Sequence, residues 1–385
     1  MDGRTVNILG IRGLPANHGG FETFVSHLAP YLIDHGWEVV VYCQDPDPRA
    51  ERRVRGDVWN GIQRVHVPTR TSGSLGTMEF DLRSVVHVLN RPGIDLVLGY
   101  NTAVFTALQR LKRRQVVMNM DGIEWKRDKW NAAAKAWFWL NEIVGYGLSS
   151  AVIADHPEIE RHLSRFYRRD CAVIPYGAEP IVDAPVEDLA PLGLKADDYF
   201  VSIARIEPEN MILETVEAYS RQRRGRRLVV LGNMDDRIAY HRRVRQAAGP
   251  EVVFPGAIYD RTVLRALRSH CRAYIHGHTV GGTNPSLVEA VGAGNAVIAH
   301  DNHFNRWTAG TGQLFYATPD VFTAHIETCA SDDAKIAAMR RSSRARFEAE
   351  FTLPAIHEAY LTLLEEAHAR QATAGGVTGA RAHRR

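Results

Sequence analysis

Residues 277–299, GHTVGGTNPSLVEAVGAGNAVIA, bring a glycine turn, a helix start and a carboxylate into one short stretch. Asn284 suits an N-cap, because its side chain can accept a hydrogen bond from an early helical amide. Pro285 then takes the first helical position, where a missing N–H costs nothing. Gly281 and Gly282, followed by Thr283, keep bulk away from that helix end. Its free amides and positive dipole could therefore receive an anion such as a diphosphate. Glu289, about one turn further in, could accept hydrogen bonds from sugar hydroxyls. Ser286 and Glu289 also spell S-x-x-E, a capping box that would start the helix one residue later and leave Pro285 outside it. His276 and His278 flank Gly277, and either could touch a bound sugar.

Arg205 follows the apolar run YFVSIA, at the strand end where open α/β sheets bind ligands. Its guanidinium can grip two phosphate oxygens at once, or form a structural ion pair. Gly19 and Gly20 follow an early strand and open a long helix, with Phe21 and Glu22 next, which makes a second possible anion site. Asp121 and Glu124 follow the run QVVMNM. A carboxylate there could orient an acceptor hydroxyl or stabilise positive charge, although Asp121 could equally cap the following turn. Trp125 and Trp130 interleave with Lys126, Arg127 and Lys129. That composition suits an anionic lipid surface, and it equally suits an aromatic helix with solvated cations at its start. Asp45-Pro46-Asp47 is the one Asp-x-Asp, and Pro46 favours a turn over a metal site.

These residues need a scaffold, and the pattern supplies one. Short apolar runs alternate with helix-period stretches, as in a parallel sheet covered by helices. VNILGI, EVVVYC, DLVLGY, QVVMNM and AVIA form a first series of strands. YFVSIA, RLVVLG, EVVFPG, AYIHGH and NAVIAH form a second, so two Rossmann-like domains are predicted. Residues 21–36 read as a helix stopped by Gly36. The Pro-rich, acidic stretch 175–195 reads as a linker, and RQRRGRR (221–227) as a solvated loop. Gly292-Ala293-Gly294 reads as a helix stop with close packing. The chain has 385 residues, 45% hydrophobic and 24% charged, ordinary for a two-domain globular protein. Four scattered cysteines lack metal or disulfide spacing, and no secretory signal is evident, so a cytoplasmic location is expected. A net charge of +3 does not call for nucleic acid.

Four stretches, GIRGLPANHGGFETF (10–24), MDGIEWKRDKW (120–130), ARIEPEN (204–210) and GHTVGGTNPSLVEA (277–290), resemble one group of proteins. These are bacterial rhamnosyltransferases of cell-wall and capsular polysaccharide synthesis, akin to the retaining glycosyltransferases of family 4. In that family a Glu-x7-Glu pair brackets the glycine turn. Glu289 matches the second Glu, which holds the nucleotide ribose, while the first falls at Gly281 and is absent. Family members follow the phosphate-gripping Arg with a Lys five residues on. Here that position is Asn210, within the Glu-Pro-Glu-Asn variant (Glu209 included) that the rhamnosyltransferases share. Asp121 and Glu124 lie where the family carries a cleft-lining His.

The resemblance implies the GT-B architecture, two facing Rossmann-like domains with a C-terminal helix crossing back to the first. Residues 1–180 with the helix at about 353–370 would bind the acceptor, and 181–352 the nucleotide sugar, with 371–385 a disordered tail. It implies a metal-independent, retaining transfer of L-rhamnose from dTDP-L-rhamnose to a saccharide on undecaprenyl pyrophosphate. The reaction would occur at the inner face of the cytoplasmic membrane, in cell-wall, capsule or O-antigen synthesis. Arg205, Asp121 and Glu124 would be the catalytic residues. A UDP- or GDP-hexose transferase, or a nucleotide-sugar-binding protein without turnover, are the alternatives.

Overall fold

The computed structural model describes residues 3–16, 19–45, 53–167 and 170–382. The chain divides into two compact units, residues 1–175 with 354–385, and residues 176–353.

The first unit is built on an eight-stranded sheet of order β3-β4-β2-β1-β5-β6-β7-β8. Its strands are β1 (Thr5–Leu9), β2 (Glu38–Asp45), β3 (Arg55–Trp59), β4 (Ile62–Pro68), β5 (Ile94–Leu98), β6 (Val116–Met120), β7 (Ala151–Ala154) and β8 (Ala172–Val173). All pairings are parallel except β3 with β4. The parallel strands read as unbroken apolar runs because helices cover both faces, and β1 and β6 are buried throughout. The β3–β4 hairpin lay outside the predicted strands. Its turn is Asn60-Gly61, with φ of 49° and 80°, the left-handed pair that matches hairpin twist. The helix Gly20–Asp34 ends at His35, and Gly36 follows at φ 82°, as its sequence suggests.

The second unit carries a six-stranded, all-parallel sheet of order β11-β10-β9-β12-β13-β14. Its strands are β9 (Tyr199–Ile203), β10 (Arg227–Leu231), β11 (Val252–Gly256), β12 (Ala273–His276), β13 (Val297–His300) and β14 (Leu314–Tyr316). Strand order reverses between β9 and β12, so the carboxyl ends of these two strands form the topological switch point where such sheets take ligands.

Two stretches differ from their sequence-based expectation, and a third departs from it at two side chains. The 175–195 segment is not a free linker: it contains the 3-10 helix Val186–Leu192, and Leu189 and Leu194 belong to the second unit's core. Within RQRRGRR, the backbone is largely exposed, but Arg224 is buried against Glu327 at 3.0 Å and Arg226 donates to the Ala330 carbonyl at 2.9 Å. Arg224 and Arg226 staple the neighbouring helix, while the rest of the run faces water, as expected. The final helix, Leu353–Ala382, runs through residues 371–382, where disorder was expected. Extending a helix already anchored by packing requires no new nucleus. Residues 383–385 lie outside the described set. The helix belongs with the first unit, where Tyr360 accepts a 2.7 Å hydrogen bond from Asn119 and Glu358 accepts one of 2.7 Å from Tyr31. The crossing back implied by the resemblance is present. Among the described residues, no helix is long and apolar enough to cross a membrane.

Candidate functional site

The glycine-turn segment sits at the switch point of the second unit. The helix Pro285–Gly292 begins as the sequence suggests: Asn284 is extended (φ −77°, ψ 119°), its side chain accepts from the Ser286 amide at 3.0 Å, and Pro285 stands in the first turn. The capping-box alternative is not adopted. Ser286 Oγ instead donates to the Ile203 carbonyl at 3.2 Å and lies 2.7 Å from the Tyr274 hydroxyl. Both contacts tie the helix start to the strand ends. Gly281 has φ 126°, which disfavours any side chain, and the space beside it is open. At the other end, a Cβ on Gly292 would meet Phe347 at 2.8 Å, so this glycine marks a stop and a close helix contact.

A second loop, after β9, is bonded to the first. Thr279 donates to the Glu209 carbonyl through its amide at 2.9 Å and its hydroxyl at 3.0 Å. Gly277 passes so close that an added Cβ would lie 2.3 Å from the Asn210 carbonyl. Asn210, where the family pattern has Lys, is buried and donates to the Arg205 carbonyl at 2.8 Å. It shapes the loop and supplies no charge. Arg205 is 66% exposed and pairs with Glu207 at 3.0 Å and Glu209 at 3.7 Å. Its cation is thus tethered between two carboxylates of its own loop, and the ion pair is local.

Glu289 is 42% exposed and forms an ion pair with Arg268, which is 7% exposed. Arg268 was not singled out by the sequence. It sits in the helix Arg261–His270, where RALRSH reads as an ordinary amphipathic turn. Thr283 is buried beside the turn. His276, at the end of β12, is fully buried and stacks on His278 at 4.2 Å with planes 7° apart. Burial, reinforced by His278 and His300, pushes its pKa well below the ordinary histidine value. It is a neutral core histidine, while His278 is partly exposed.

In the first unit, the Gly19–Gly20 loop does not present an open anion site. Gly19 precedes the helix at φ 97°, and the Glu22 carboxylate folds back over that end and accepts from the Arg12 amide at 2.9 Å. A Cβ on Gly19 would come within 2.1 Å of Glu22 Oε2. The helix end already carries its own anion, so Gly20 and Glu22 serve the loop. Asn17 and His18 of that loop lie outside the described residues.

The loop after β6 gathers two carboxylates. Asp121 is largely packed in protein, and desolvation, then the charge of Glu124, raises its pKa to about 6 against the pull of Arg127. Glu124 accepts from Arg127 at 2.6 Å and from the Trp130 indole at 3.1 Å, while its amide donates to the Tyr100 hydroxyl at 2.7 Å. The Trp125 indole donates to Glu142 at 2.9 Å, and Lys126 lies 5.3 Å over the Trp125 ring. Arg127 and Trp125 are therefore engaged inward. An exposed aromatic lies in the next helix, where Trp139 is 52% exposed beside Leu140. Asp45 pairs with Arg55 at 2.8 Å, and Pro46 and Asp47 lie outside the described residues. Among the described residues, no three His, Cys, Asp or Glu side chains form a group that could hold a metal ion.

Residues 3–179 match a family model described as a domain of unknown function, DUF1972. A search of curated proteins finds no match. Solved structures of similar fold include a sucrose-phosphate synthase from Thermosynechococcus elongatus, at 18% identity over 95% of this chain and 100% of that chain, TM-score 0.78. HepE of Anabaena, solved with UDP and glucose, is 15% identical over 94% of this chain and 99% of that one, TM-score 0.74. An α,α-trehalose 6-phosphate synthase from Burkholderia multivorans is 12% identical over 97% and 98%, TM-score 0.74. These neighbours are glycosyltransferases of the GT-B fold, and this chain shares that fold class.

Proposed function

We propose that this protein is a nucleotide-sugar glycosyltransferase whose second unit binds the donor. One observation carries the reading: the Asn284-capped helix end, the open glycine turn and the Arg268–Glu289 pair converge at the β9/β12 switch point. The helix amides would face the diphosphate, with Arg205 reaching it when it exchanges a carboxylate for phosphate oxygens. Glu289 would accept hydroxyls of the nucleoside. The helix amides, fixed before reaction, and Arg205 once released would together stabilise the departing diphosphate, so this reading calls for no metal. In a front-face, retaining transfer the leaving phosphate oxygen takes the acceptor's proton, and no enzyme nucleophile is needed. Asp121 and Glu124 would orient the acceptor on the first unit.

The four sequence blocks favour dTDP-L-rhamnose as donor and a saccharide on a lipid pyrophosphate as acceptor. Exposed Trp139 and Leu140, with Lys126 and Lys129 nearby in sequence, support contact with the inner face of the cytoplasmic membrane. The second reading, a uridine donor, is favoured by the HepE complexes with UDP and UDP-glucose. Thermal shifts against dTDP-, UDP- and GDP-sugars identify the donor, since a selective ligand raises Tm. Incubation of that donor with lipid-linked acceptor, followed by mass spectrometry, should show one added sugar, a deoxyhexose if the donor is dTDP-L-rhamnose. A shift without product would leave a binding protein; no shift with any nucleotide sugar would end the reading.

A further inference from the structure

We infer that Arg268 is a positioning residue that turns one oxygen of Glu289 outward and so makes a ligand hydroxyl a condition of tight binding. The inference rests on the donor-site reading above and adds a group that neither the motif nor the fold identifies.

The geometry starts from burial. Arg268 is almost wholly enclosed, and its Nε has no hydrogen-bond partner. Its Nη2 contacts Glu289 Oε2 and lies 3.3 Å from Ser286 Oγ. A buried guanidinium that lost its carboxylate would stand unpaired, which is strongly unfavourable. Glu289 is therefore held in one orientation while its own side chain stays half exposed. The anchor is rigid in turn: Ser286 is fixed by Tyr274 and the Ile203 carbonyl, and the Arg268 carbonyl accepts from Asn295.

With Oε2 committed inward, Oε1 is the free acceptor. An ionised carboxylate can only accept. A nucleoside that brings a hydroxyl satisfies it. One lacking the hydroxyl strips water from Oε1 and returns nothing, the situation in which a polar site rejects an analogue most strongly. Half exposure moderates the penalty, so the expected discrimination is about tenfold, not the ~10⁴ of a sealed site. Arg268 touches no ligand in this account; it acts through Glu289.

The test measures affinities by calorimetry for two pairs of probes, dTDP against 2′,3′-dideoxythymidine diphosphate, and UDP against its 2′,3′-dideoxy form. The intact protein should prefer the hydroxylated member by about tenfold. Arg268→Met should reduce that ratio to near one while the dideoxy compound binds as before; Glu289→Gln, whose outward amide can still meet a hydroxyl, should reduce it in part, and the double variant should lose nothing beyond Arg268→Met. Arg268→Lys, which keeps charge but not the fork, should retain part of the preference. Should Arg268→Met fail to fold, the Lys variant and Glu289→Gln carry the comparison alone. An unchanged ratio in the Arg268 variants, or no preference in the parent, overturns the inference. Failure of the parent to bind any of the four diphosphates would instead remove the donor-site reading itself.

Discussion

A single side chain decides charge in each candidate loop. Arg205 is the exposed cation of its loop, held by Glu207 and Glu209. Arg205→Ala should lower turnover by ~10²-fold or more in a donor-plus-acceptor assay, the usual cost of removing a preorganised charge. Asp121 shows the opposite economy, because it is kept where its ionised form is disfavoured. Its folded pKa of about 6 lies above the ordinary 3.8. It therefore contributes stability at low pH that is lost as pH rises through 6. Asp121→Asn should raise stability at pH 8 by roughly 2–3 kcal/mol in chemical denaturation, with activity reduced. At this scale the sequence displayed the carboxylates and the cap but hid Arg268. An arginine in a helical turn reads as solvated, and only a fold that places it against Glu289, on another helix, buries it.

Among elements, the helix Pro285–Gly292 was the most legible, since Asn-Pro fixes its start by local chemistry. Asn284→Ala should cost about 1 kcal/mol in unfolding free energy, the typical worth of an N-cap. The junction between the two switch-point loops depends on a missing Cβ. Gly277→Ala would press on the Asn210 carbonyl, so this variant should weaken nucleotide binding as well as lower Tm, by contrast with an exposed glycine in open space such as Gly147. The parallel strands β1, β2, β5, β6, β7 and β9 to β13 announced themselves as apolar runs, whereas β4, β8 and β14 were not anticipated. Nor was β3: its residues Arg55–Trp59 are exposed save at the end, so no apolar period marks it. The Asn-Gly pair at 60–61 was the available signal. The Gly19–Gly20 turn misled for the converse reason. A glycine before a helix looks the same whether the helix end awaits a ligand or receives the protein's own Glu22.

Across the whole molecule, stability has a pH dependence that one buried histidine should report. His357, on the terminal helix and packed near Tyr31 and Phe24, has its pKa lowered to about 4 by burial, then by His27. The unfolded chain takes up its proton from about pH 6.5 downward, while the native state resists until about 4. Stability is thus intact above 6.5 and lost progressively below it. Relative to the parent, His357→Leu should gain roughly 2–3 kcal/mol between pH 7.5 and 4.5, read from paired denaturation curves. The paired difference cancels the opposing contribution of Asp81 and Asp121, both raised to about 6.

The way the polypeptide leaves and rejoins the first unit has an engineering consequence. Residue 178 bridges to residue 352, and the Ala178 amide donates to the Phe351 carbonyl at 3.0 Å. The doorway into the inserted body and the exit from it are therefore laced side by side. Such a guest can be cut from its host without pulling any strand from either sheet. Residues 176–353 alone should then make a self-sufficient nucleotide receptor, and a host closed from 175 to 354 by a few flexible residues should keep its eight strands.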